Sequence, residues 1–239
     1  PGEEYSEKGL KTELKSVMDL NLCKEQYQQQ IIEKTNWNEV WESNFNPVDI
    51  EGICHIRADF HPSKNGDLLE IVITPKMSFG TGHHATTALM LKELSILNLT
   101  DMRCLDMGTG TGILAIYAMK TGSSSVLAID NDEWCATNTL ENIAVNNVTE
   151  HIHVIHGDAY HLLNEAPFDL IIANINRNIL LADMAVYAGK LKPNSPILFS
   201  GFHPEDVDIL TKKGNELGLS FKHKTEQDGW VCMKMIKEG

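Results

Sequence analysis

Three glycines that alternate with threonines lie between two apolar runs in the segment Leu105-Asp106-Met107-Gly108-Thr109-Gly110-Thr111-Gly112-Ile113. The pattern is typical of a strand end, a tight turn and a helix start. Glycine lets a ligand approach the backbone closely, and the first turn of a helix carries unpaired N–H groups. The segment is therefore either a binding loop for a nucleotide or adenosyl cofactor, or a turn that needs glycine for its backbone alone. The candidate cofactor-binding residues in it are Asp106, Gly108, Gly110 and Gly112.

Two acidic residues follow the next two apolar runs along the chain. Asp130 ends the run Val126-Leu127-Ala128-Ile129, where a carboxylate can accept hydrogen bonds from both ribose hydroxyls or cap the following helix. Asp158 follows the third run, where it can bind an adenine amino group or form a turn. Both are candidate cofactor-binding residues.

A fourth apolar run, Leu170-Ile171-Ile172-Ala173, ends at Asn174. In an open parallel sheet, ligands bind beyond the carboxyl ends of the strands. Asparagine is common in loops, but directly after four apolar strand residues it lies where such a crevice is expected. Asn174 is therefore a candidate site residue.

Short apolar runs alternate with helical patterns from Met102 onward, which predicts a parallel sheet covered by helices. The predicted strands are 103–107, 126–130, 151–156, 168–173 and 196–200, and the predicted helices are 112–120, 133–145, 178–191 and 204–217. Two last strands, 219–224 and 229–236, have no helix between them, so their hairpin adds an antiparallel strand. We predict an α/β fold: a Rossmann-like, doubly wound, seven-stranded sheet with an antiparallel last strand.

The pattern before Met102 is different. Apolar residues at helical spacing predict one or two amphipathic helices within 8–34, an aromatic-rich stretch covers 36–47, and strands are predicted at 53–58 and 68–73. We predict a helical N-terminal segment (1–35) for recognition, a linker with short strands (36–78) and a main domain (79–239). The sequence begins with Pro1 rather than Met, so we expect that residues upstream are missing from it.

The composition limits the class of protein. The 239 residues are 42% hydrophobic and 22% charged, without a membrane-length apolar run or a signal peptide, so we expect a cytoplasmic protein with no membrane partner. The net charge of -13 repels phosphates, which predicts no direct nucleic-acid binding and favours a basic protein or a small molecule as partner. Five scattered cysteines predict reduced thiols. The histidines at 151, 153 and 156 lack supporting ligands, so we expect no metal.

The glycine loop, Asp130, Asn174 and the closing antiparallel strand together resemble a class I S-adenosylmethionine-dependent methyltransferase. More specifically, three segments resemble the PrmA family, whose members methylate large-subunit ribosomal protein eleven, the stalk-base protein. These segments are Phe79-Gly80-Thr81-Gly82-His83-His84-Ala85-Thr86-Thr87, Ala173-Asn174-Ile175-Asn176 and Ser200-Gly201-Phe202. The first is long and rarely seen elsewhere.

The resemblance implies S-adenosylmethionine as cofactor and a basic ribosomal protein as partner, methylated on lysine or N-terminal amines. It implies that Thr87, Gly108, Asp130 and Asn174 bind the cofactor, and that Phe79, Thr81 and Gly82 close over its methionine end. The family also carries an N-terminal recognition domain of ferredoxin-like fold, and only its last part could fit in 1–35. We expect a monomer.

Methyl transfer to an amine requires alignment of donor and acceptor more than a dedicated acid or base. Our hypothesis is that the Asn174 side-chain oxygen and the Ile175 backbone carbonyl are the catalytic groups, which orient the amine. His83 or His84 could take a proton or only pack the loop. The alternatives are methylation of another amine or amide nitrogen, a non-catalytic adenosyl-binding module and an NAD oxidoreductase. N-I-N-R in place of N-P-P-Y argues against the first, and the early third glycine argues against the last.

Overall fold

The computed structural model describes residues 46–64, 66, 68–74, 76 and 78–239. Ten strands and five α-helices lie in this part of the chain. The strands are β1 (Val48–Ile50), β2 (Cys54–Arg57), β3 (Leu69–Val72), β4 (Arg103–Met107), β5 (Ser125–Asp130), β6 (Ile152–His156), β7 (Leu170–Asn174), β8 (Pro196–Phe202), β9 (Leu219–Gln227) and β10 (Trp230–Lys237). The helices are α1 (Ala85–Ser95), α2 (Ile113–Lys120), α3 (Glu133–Val145), α4 (Arg177–Lys190) and α5 (Val207–Glu216).

Seven strands form the main sheet in the order β6-β5-β4-β7-β8-β10-β9. The first five run parallel, and β10 pairs antiparallel with both β8 and β9. The predicted fold class is therefore confirmed. From β4 the chain moves outward to β5 and β6, whereas β7 and β8 lie on the other side of β4. This reversal of strand order opens a crevice at the carboxyl ends of β4 and β7, where ligands bind in such sheets.

The central strands are buried on both faces because each strand sends alternate side chains into two separate cores. One core, under α1, α2 and α3, includes Cys104 and Ile172. The other, under α4 and α5, includes Leu105, Ile171 and Phe199. Near-continuous apolar strand sequences follow from this burial. The two layers of helices leave the strand ends as the place where polar side chains can meet.

Helix α1 was missed in the sequence analysis. Eight of its eleven residues are buried, from Thr86 to Leu94, so apolar residues occur around most of its circumference and the amphipathic period is weak. Its first turn contains two β-branched threonines and no acidic residue. His84 caps the N-terminus, with its side chain accepting from the Thr86 amide. The helix exists because both the sheet and α2 cover it, which no local pattern reveals.

A second sheet holds β1, β2 and β3, with β1 antiparallel and β3 parallel to β2. The predicted strands at 53–58 and 68–73 correspond to β2 and β3, whereas the three-residue β1 was not predicted. The helices expected within 8–34 and most of the aromatic-rich stretch 36–47 lie outside the described residues. No helix in the described part of the chain is both long and apolar enough to cross a bilayer.

Candidate active site

The glycine loop joins β4 to α2 at the reversal of strand order. Gly108, Gly110 and Gly112 all have positive φ, of 71°, 58° and 82°. A Cβ on Gly110 would lie 2.3 Å from the carbonyl oxygen of Phe79, and one on Gly108 would lie 2.1 Å from Cγ2 of Ile175. The loop is therefore packed directly against the two other segments that the sequence analysis singled out.

The amide hydrogens of this loop are all used inside the protein. Those of Gly108 and Thr109 bind the Ile129 carbonyl, that of Gly110 binds Asp130, and those of Thr111 and Gly112 bind the Phe79 and Thr109 carbonyls. A dinucleotide pyrophosphate needs free N–H groups at such a loop. The arrangement disfavours that ligand and leaves the glycine Cα atoms as the contact surface.

Asp130 is 7% exposed at the end of β5. Its Oδ2 accepts from the Gly110 amide at 2.9 Å, and its Oδ1 accepts from the Asp132 amide at 3.0 Å. The side chain of Asp132, not Asp130, caps α3, accepting from the Trp134 amide at 2.8 Å. Each oxygen of Asp130 keeps a further lone pair, so the carboxylate can still accept from ribose hydroxyls.

A cavity of about 380 Å³ lies at the carboxyl ends of β4, β5 and β7. Met107, Gly108, Asn131, Asp158 and Ile175 line it together with the start of α4. The Asp158 side chain accepts from the Tyr160 amide at 3.0 Å and so caps a short 3-10 helix, Ala159–Asn164. Asp158 therefore forms a turn and also lines the cavity. It is compatible with both interpretations drawn from the sequence, a turn former and a residue that binds an adenine amino group.

A second cavity, of about 210 Å³, lies on the other side of Ile175 and is lined by Phe79, His84, Thr86, Asn174 and Trp230 among others. Because Ile175 lines both cavities, they meet at the end of β7. The structure thus brings together Asn174, Ile175, Gly108 and Phe79 from distant parts of the sequence.

The orientation of the Asn174 side chain is set by a chain of hydrogen bonds. Nδ1 of His84 accepts from the Thr86 amide at 3.3 Å and lies 2.9 Å from the Thr86 hydroxyl, which donates to the same nitrogen. The hydroxyl oxygen accepts from Nδ2 of Asn174 at 3.4 Å. The Asn174 Oδ1 atom is then left buried without a hydrogen-bond partner. A buried, unpaired acceptor is costly, so this oxygen is suited to a ligand N–H group.

Aromatic rings form one wall of the smaller cavity. The ring of His84 lies 5.0 Å from that of Phe79 and 4.9 Å from that of Trp230, and His203 lies 4.2 Å from Trp230. Roles for Thr86, Trp230 and His203 were not predicted from the sequence. A threonine beside the candidate Thr87 and a late tryptophan were the only signals available.

Seven candidate residues line neither cavity: Thr81, Gly82, Thr87, Asp106, Gly110, Gly112 and Asp130. A Cβ on Gly82 would lie 2.6 Å from Cδ1 of Ile56, so Gly82 packs against β2. The Thr87 hydroxyl is buried without a partner in α1. Roles in cofactor binding stay predictions for these and for the other candidate residues.

Asp106 is a buried acid beneath the glycine loop. Its Oδ2 accepts from the Thr109 hydroxyl at 2.7 Å and from the Ala115 amide at 3.2 Å, while its Oδ1 is buried without a partner. Burial raises the pKa of Asp106 to about 7, with a smaller contribution from the charge of Asp130 and opposed by the two hydrogen bonds. An opposite charge close to this free oxygen would favour the ionised form.

The raised pKa predicts a pH-dependent stability. Because the folded pKa of about 7 exceeds the unfolded value of 3.8, folding favours the protonated acid. The stability that the protonated acid contributes is fully present below its pKa of 3.8 in the unfolded chain. It is lost as the pH rises through the pKa of about 7 in the folded protein. We expect the free energy of unfolding, relative to Asp106→Asn, to fall by up to about 1.4 kcal/mol per pH unit below about pH 7 and then to level.

Urea unfolding of both proteins from about pH 5 to about pH 8 measures this difference, with Asp106→Asn as the variant that lacks the titrating group. A difference that does not change with pH would contradict the buried acid.

Comparisons with known proteins place the chain in a family. The family model described as ribosomal protein L11 methyltransferase (PrmA) matches residues 2–238. The ribosomal protein L11 methyltransferase of Porphyromonas gingivalis is 50% identical over 214 residues, 89% of this chain and 73% of that protein. Its namesake in Bacteroides fragilis strain ATCC 25285 is 43% identical, over 97% of this chain and 82% of that protein.

Solved structures agree on the fold. A ribosomal protein L11 methylase from Lactobacillus delbrueckii subsp. bulgaricus has a TM-score of 0.73 at 26% identity, covering 82% of this chain and all of that one. A 16S rRNA methyltransferase of T. thermophilus, in complex with AdoMet and guanosine, has a TM-score of 0.58 at 19% identity, covering 67% of this chain and 45% of that one. The resemblance drawn from the three motifs is confirmed, and the chain belongs to the PrmA family of ribosomal protein L11 methyltransferases.

Proposed function

We propose that this protein transfers methyl groups from S-adenosylmethionine to amine nitrogens of ribosomal protein L11. The buried, unpaired Oδ1 of Asn174, beside the meeting point of two cavities, carries the proposal. This oxygen can accept a hydrogen bond from an N–H group at the place where a ligand in the smaller cavity would meet a ligand in the larger one. Membership of the family and the names of relatives at 43% and 50% identity support the substrate.

The residues of the larger cavity and the glycine loop fit the cofactor. The free oxygen of Asp106 can accept from its ammonium group, and Asp130 can accept from the ribose hydroxyls. Asp158 and Asn131 lie at the end of the cavity that would hold the adenine. When bound, S-adenosylmethionine would supply a methyl group on a positively charged sulfur: the amine nitrogen bonds to the methyl carbon from the side opposite the sulfur, the carbon–sulfur bond breaks and the neutral thioether leaves.

Two oxygens orient the amine. Oδ1 of Asn174 accepts one N–H, and the Ile175 carbonyl accepts another, so that the nitrogen lone pair points at the methyl carbon. The Ile175 amide donates to the Ser200 carbonyl at 3.1 Å, which anchors the start of this turn to β8. Glycine at 201 leaves room for the Ile175 oxygen, since a Cβ there would lie 2.5 Å from it.

The aromatic wall serves the entering amine. The ring faces of Phe79 and Trp230 attract an ammonium group, whether or not it already carries methyl groups. Nδ1 of His84 is engaged by Thr86 and is not available for the substrate proton. His84 therefore holds Thr86 and, through it, Asn174, and the substrate proton leaves to solvent.

Several finer points belong to the same proposal. The formal charge of -13 suits a basic substrate and disfavours direct nucleic-acid contact. Methylation of a ribosomal protein would take place in the cytoplasm. The division into 1–35, 36–78 and 79–239 and the monomeric state stay predictions.

Mass spectrometry of L11 after incubation with the purified chain and S-adenosylmethionine tests the function. We expect methyl-sized mass increments on lysine or N-terminal amines. L11 whose amines have been acetylated is the matched control and should gain none. Increments that persist after acetylation would contradict amine methylation, and methylation of other lysate proteins without L11 would contradict the substrate.

A further inference from the structure

Three asparagines, two in α3 and one at its C-terminal cap, bond to the backbone of Val72 in β3 and of Thr74 just beyond it. They are spaced four residues apart, at Asn138, Asn142 and Asn146, and so share one face of the helix. Asn146 accepts from the Val72 amide at 3.0 Å and donates to the Val72 carbonyl at 2.6 Å. Asn142 accepts from the Thr74 amide at 2.9 Å, and Asn138 donates to the Thr74 carbonyl at 3.2 Å. Side chains here take the place of a neighbouring strand.

Asn142 also reaches the glycine loop. While its Oδ1 binds Thr74, its Nδ2 donates to the Thr111 carbonyl at 2.8 Å. The residue is fully buried, so water cannot replace either bond. One turn away, the Thr139 hydroxyl donates to the Gly110 carbonyl at 3.0 Å. Helix α3 therefore holds two successive carbonyls of the loop from behind.

The other side of the same loop holds the segment that carries Phe79. The Thr111 amide donates to the Phe79 carbonyl at 2.9 Å, and the Thr111 hydroxyl donates to the Gly80 carbonyl at 2.5 Å. Thr74 and Phe79 are five residues apart in the chain. The Thr74 amide binds Asn142 itself, whereas the Phe79 carbonyl binds the amide of Thr111, the residue whose carbonyl Asn142 binds. Asn142 thus links Thr74 to the glycine loop, and Thr111 links the same loop to Phe79 and Gly80.

We propose that Asn142 is a positioning residue for cofactor binding, an inference that rests on the proposed function. It holds the Thr111 carbonyl and so keeps in place the residue whose own amide meets Phe79 and whose neighbour Gly110 meets Asp130. Without its donor, the loop and Phe79 lose their common support, and the wall of the cofactor site shifts. Asn146 is also buried and also accepts from a backbone amide of this segment, that of Val72, but its Nδ2 donates to the Val72 and Asn142 carbonyls and not to the loop. It therefore shares the structural role and not the positioning role.

The pair Asn142→Asp and Asn146→Asp tests the inference. Each keeps an acceptor for its backbone amide, that of Thr74 or Val72, loses its amide nitrogen as a donor and introduces one carboxylate in a buried place. The donor lost makes one hydrogen bond in Asn142 and two in Asn146. We expect Asn142→Asp to raise the Kd for S-adenosylmethionine about tenfold, the cost of roughly one buried hydrogen bond, and Asn146→Asp to leave it within about twofold. At saturating cofactor, kcat of Asn142→Asp should stay close to wild type.

Hydrogen exchange of the cofactor-free proteins supplies a second readout. The Thr111 amide should exchange faster in Asn142→Asp than in Asn146→Asp. If Asn142→Asp does not fold, Thr139→Val takes its place, because it removes only the hydroxyl bond to Gly110 and should raise the Kd about threefold.

Equal effects of the two aspartate variants on Kd and on Thr111 exchange would overturn the positioning role. So would an unchanged Kd in Asn142→Asp or, if that variant does not fold, in Thr139→Val. A wild-type protein that binds no S-adenosylmethionine would overturn the proposed function and this inference together. A wild type that binds and methylates beside an equally competent Asn142→Asp would overturn the inference alone.

Discussion

Replacing Asn174 with alanine is expected to lower kcat about 100-fold to 1000-fold, which is the size of effect seen when a preorganised hydrogen-bonding group is removed from a transition state. The Kd for S-adenosylmethionine should change little. The reason is that Oδ1 of Asn174 is the buried acceptor held in place through Thr86 and His84, and it acts on the amine. Steady-state kinetics with L11 and calorimetric titration of the cofactor separate the two quantities.

Asn176→Ala is the control for this experiment. Asn176 is only two residues away and lines the same smaller cavity, but its Oδ1 is already used: it caps α4, accepting from the amides of Asn178 at 3.1 Å and Ile179 at 3.2 Å. Its loss should cost about 1 kcal/mol of stability and leave kcat near the wild-type value. Equal losses of kcat in both variants would show that the turn, and not the Asn174 oxygen, matters. Unchanged turnover in Asn174→Ala would reject the catalytic role.

Replacing Gly110 with alanine is expected to weaken cofactor binding about 100-fold and to lower the free energy of unfolding by about 2 to 4 kcal/mol. The residue has φ of 58°, and its new Cβ would lie 2.3 Å from the Phe79 oxygen and 3.2 Å from the Phe79 carbonyl carbon. These are backbone atoms, so the Phe79 segment or the glycine loop must move. Either movement breaks the bond between Gly110 and Asp130 or that between Thr111 and Phe79.

Gly122→Ala is the matched variant, because Gly122 also has a positive φ, of 116°, but lies just after the opposite end of α2. Its nearest contact would be an ordinary 3.5 Å to Cα of Thr100. It should lose about 1 to 2 kcal/mol of stability from backbone strain and no cofactor affinity. Chemical denaturation and calorimetry measure both effects. Equal affinity losses in the two variants would mean that strain alone, and not the contact with Phe79, explains the result.

The central strands could be predicted because their information is local. The predicted strand at 103–107 coincides with β4, since buried parallel strands are continuous apolar runs bounded by turn residues. The closing hairpin was also predicted, and its turn at Asp228 and Gly229 has positive φ at both residues, as a type I′ turn requires. Helix α1 escaped prediction because burial on most sides removes the amphipathic signal.

The candidate site also contains residues that could be predicted from the sequence and residues that could not. Strand-end positions identified Asp130, Asp158 and Asn174, because parallel strands bring their carboxyl ends to one edge of the sheet. The same reasoning could not find Thr86, since nothing local says that its hydroxyl meets an asparagine 88 residues later in the chain. It also could not decide whether Asp130 or Asp132 caps α3.

The sequence by itself determined the fold class, the family and the loops from which a methyltransferase site would be built, because periodicity, glycine spacing and motif residues are properties of short segments. Only the tertiary structure decided which atoms face which. In the folded protein the amide hydrogens of the glycine loop are all bonded internally, and one oxygen each of Asp106 and Asn174 is buried without a partner. The loop is also hydrogen-bonded to Phe79 and to Asn142. Hydrogen-bond pairing between distant segments depends on how the two helical layers pack on the sheet, and packing is not encoded at any one position.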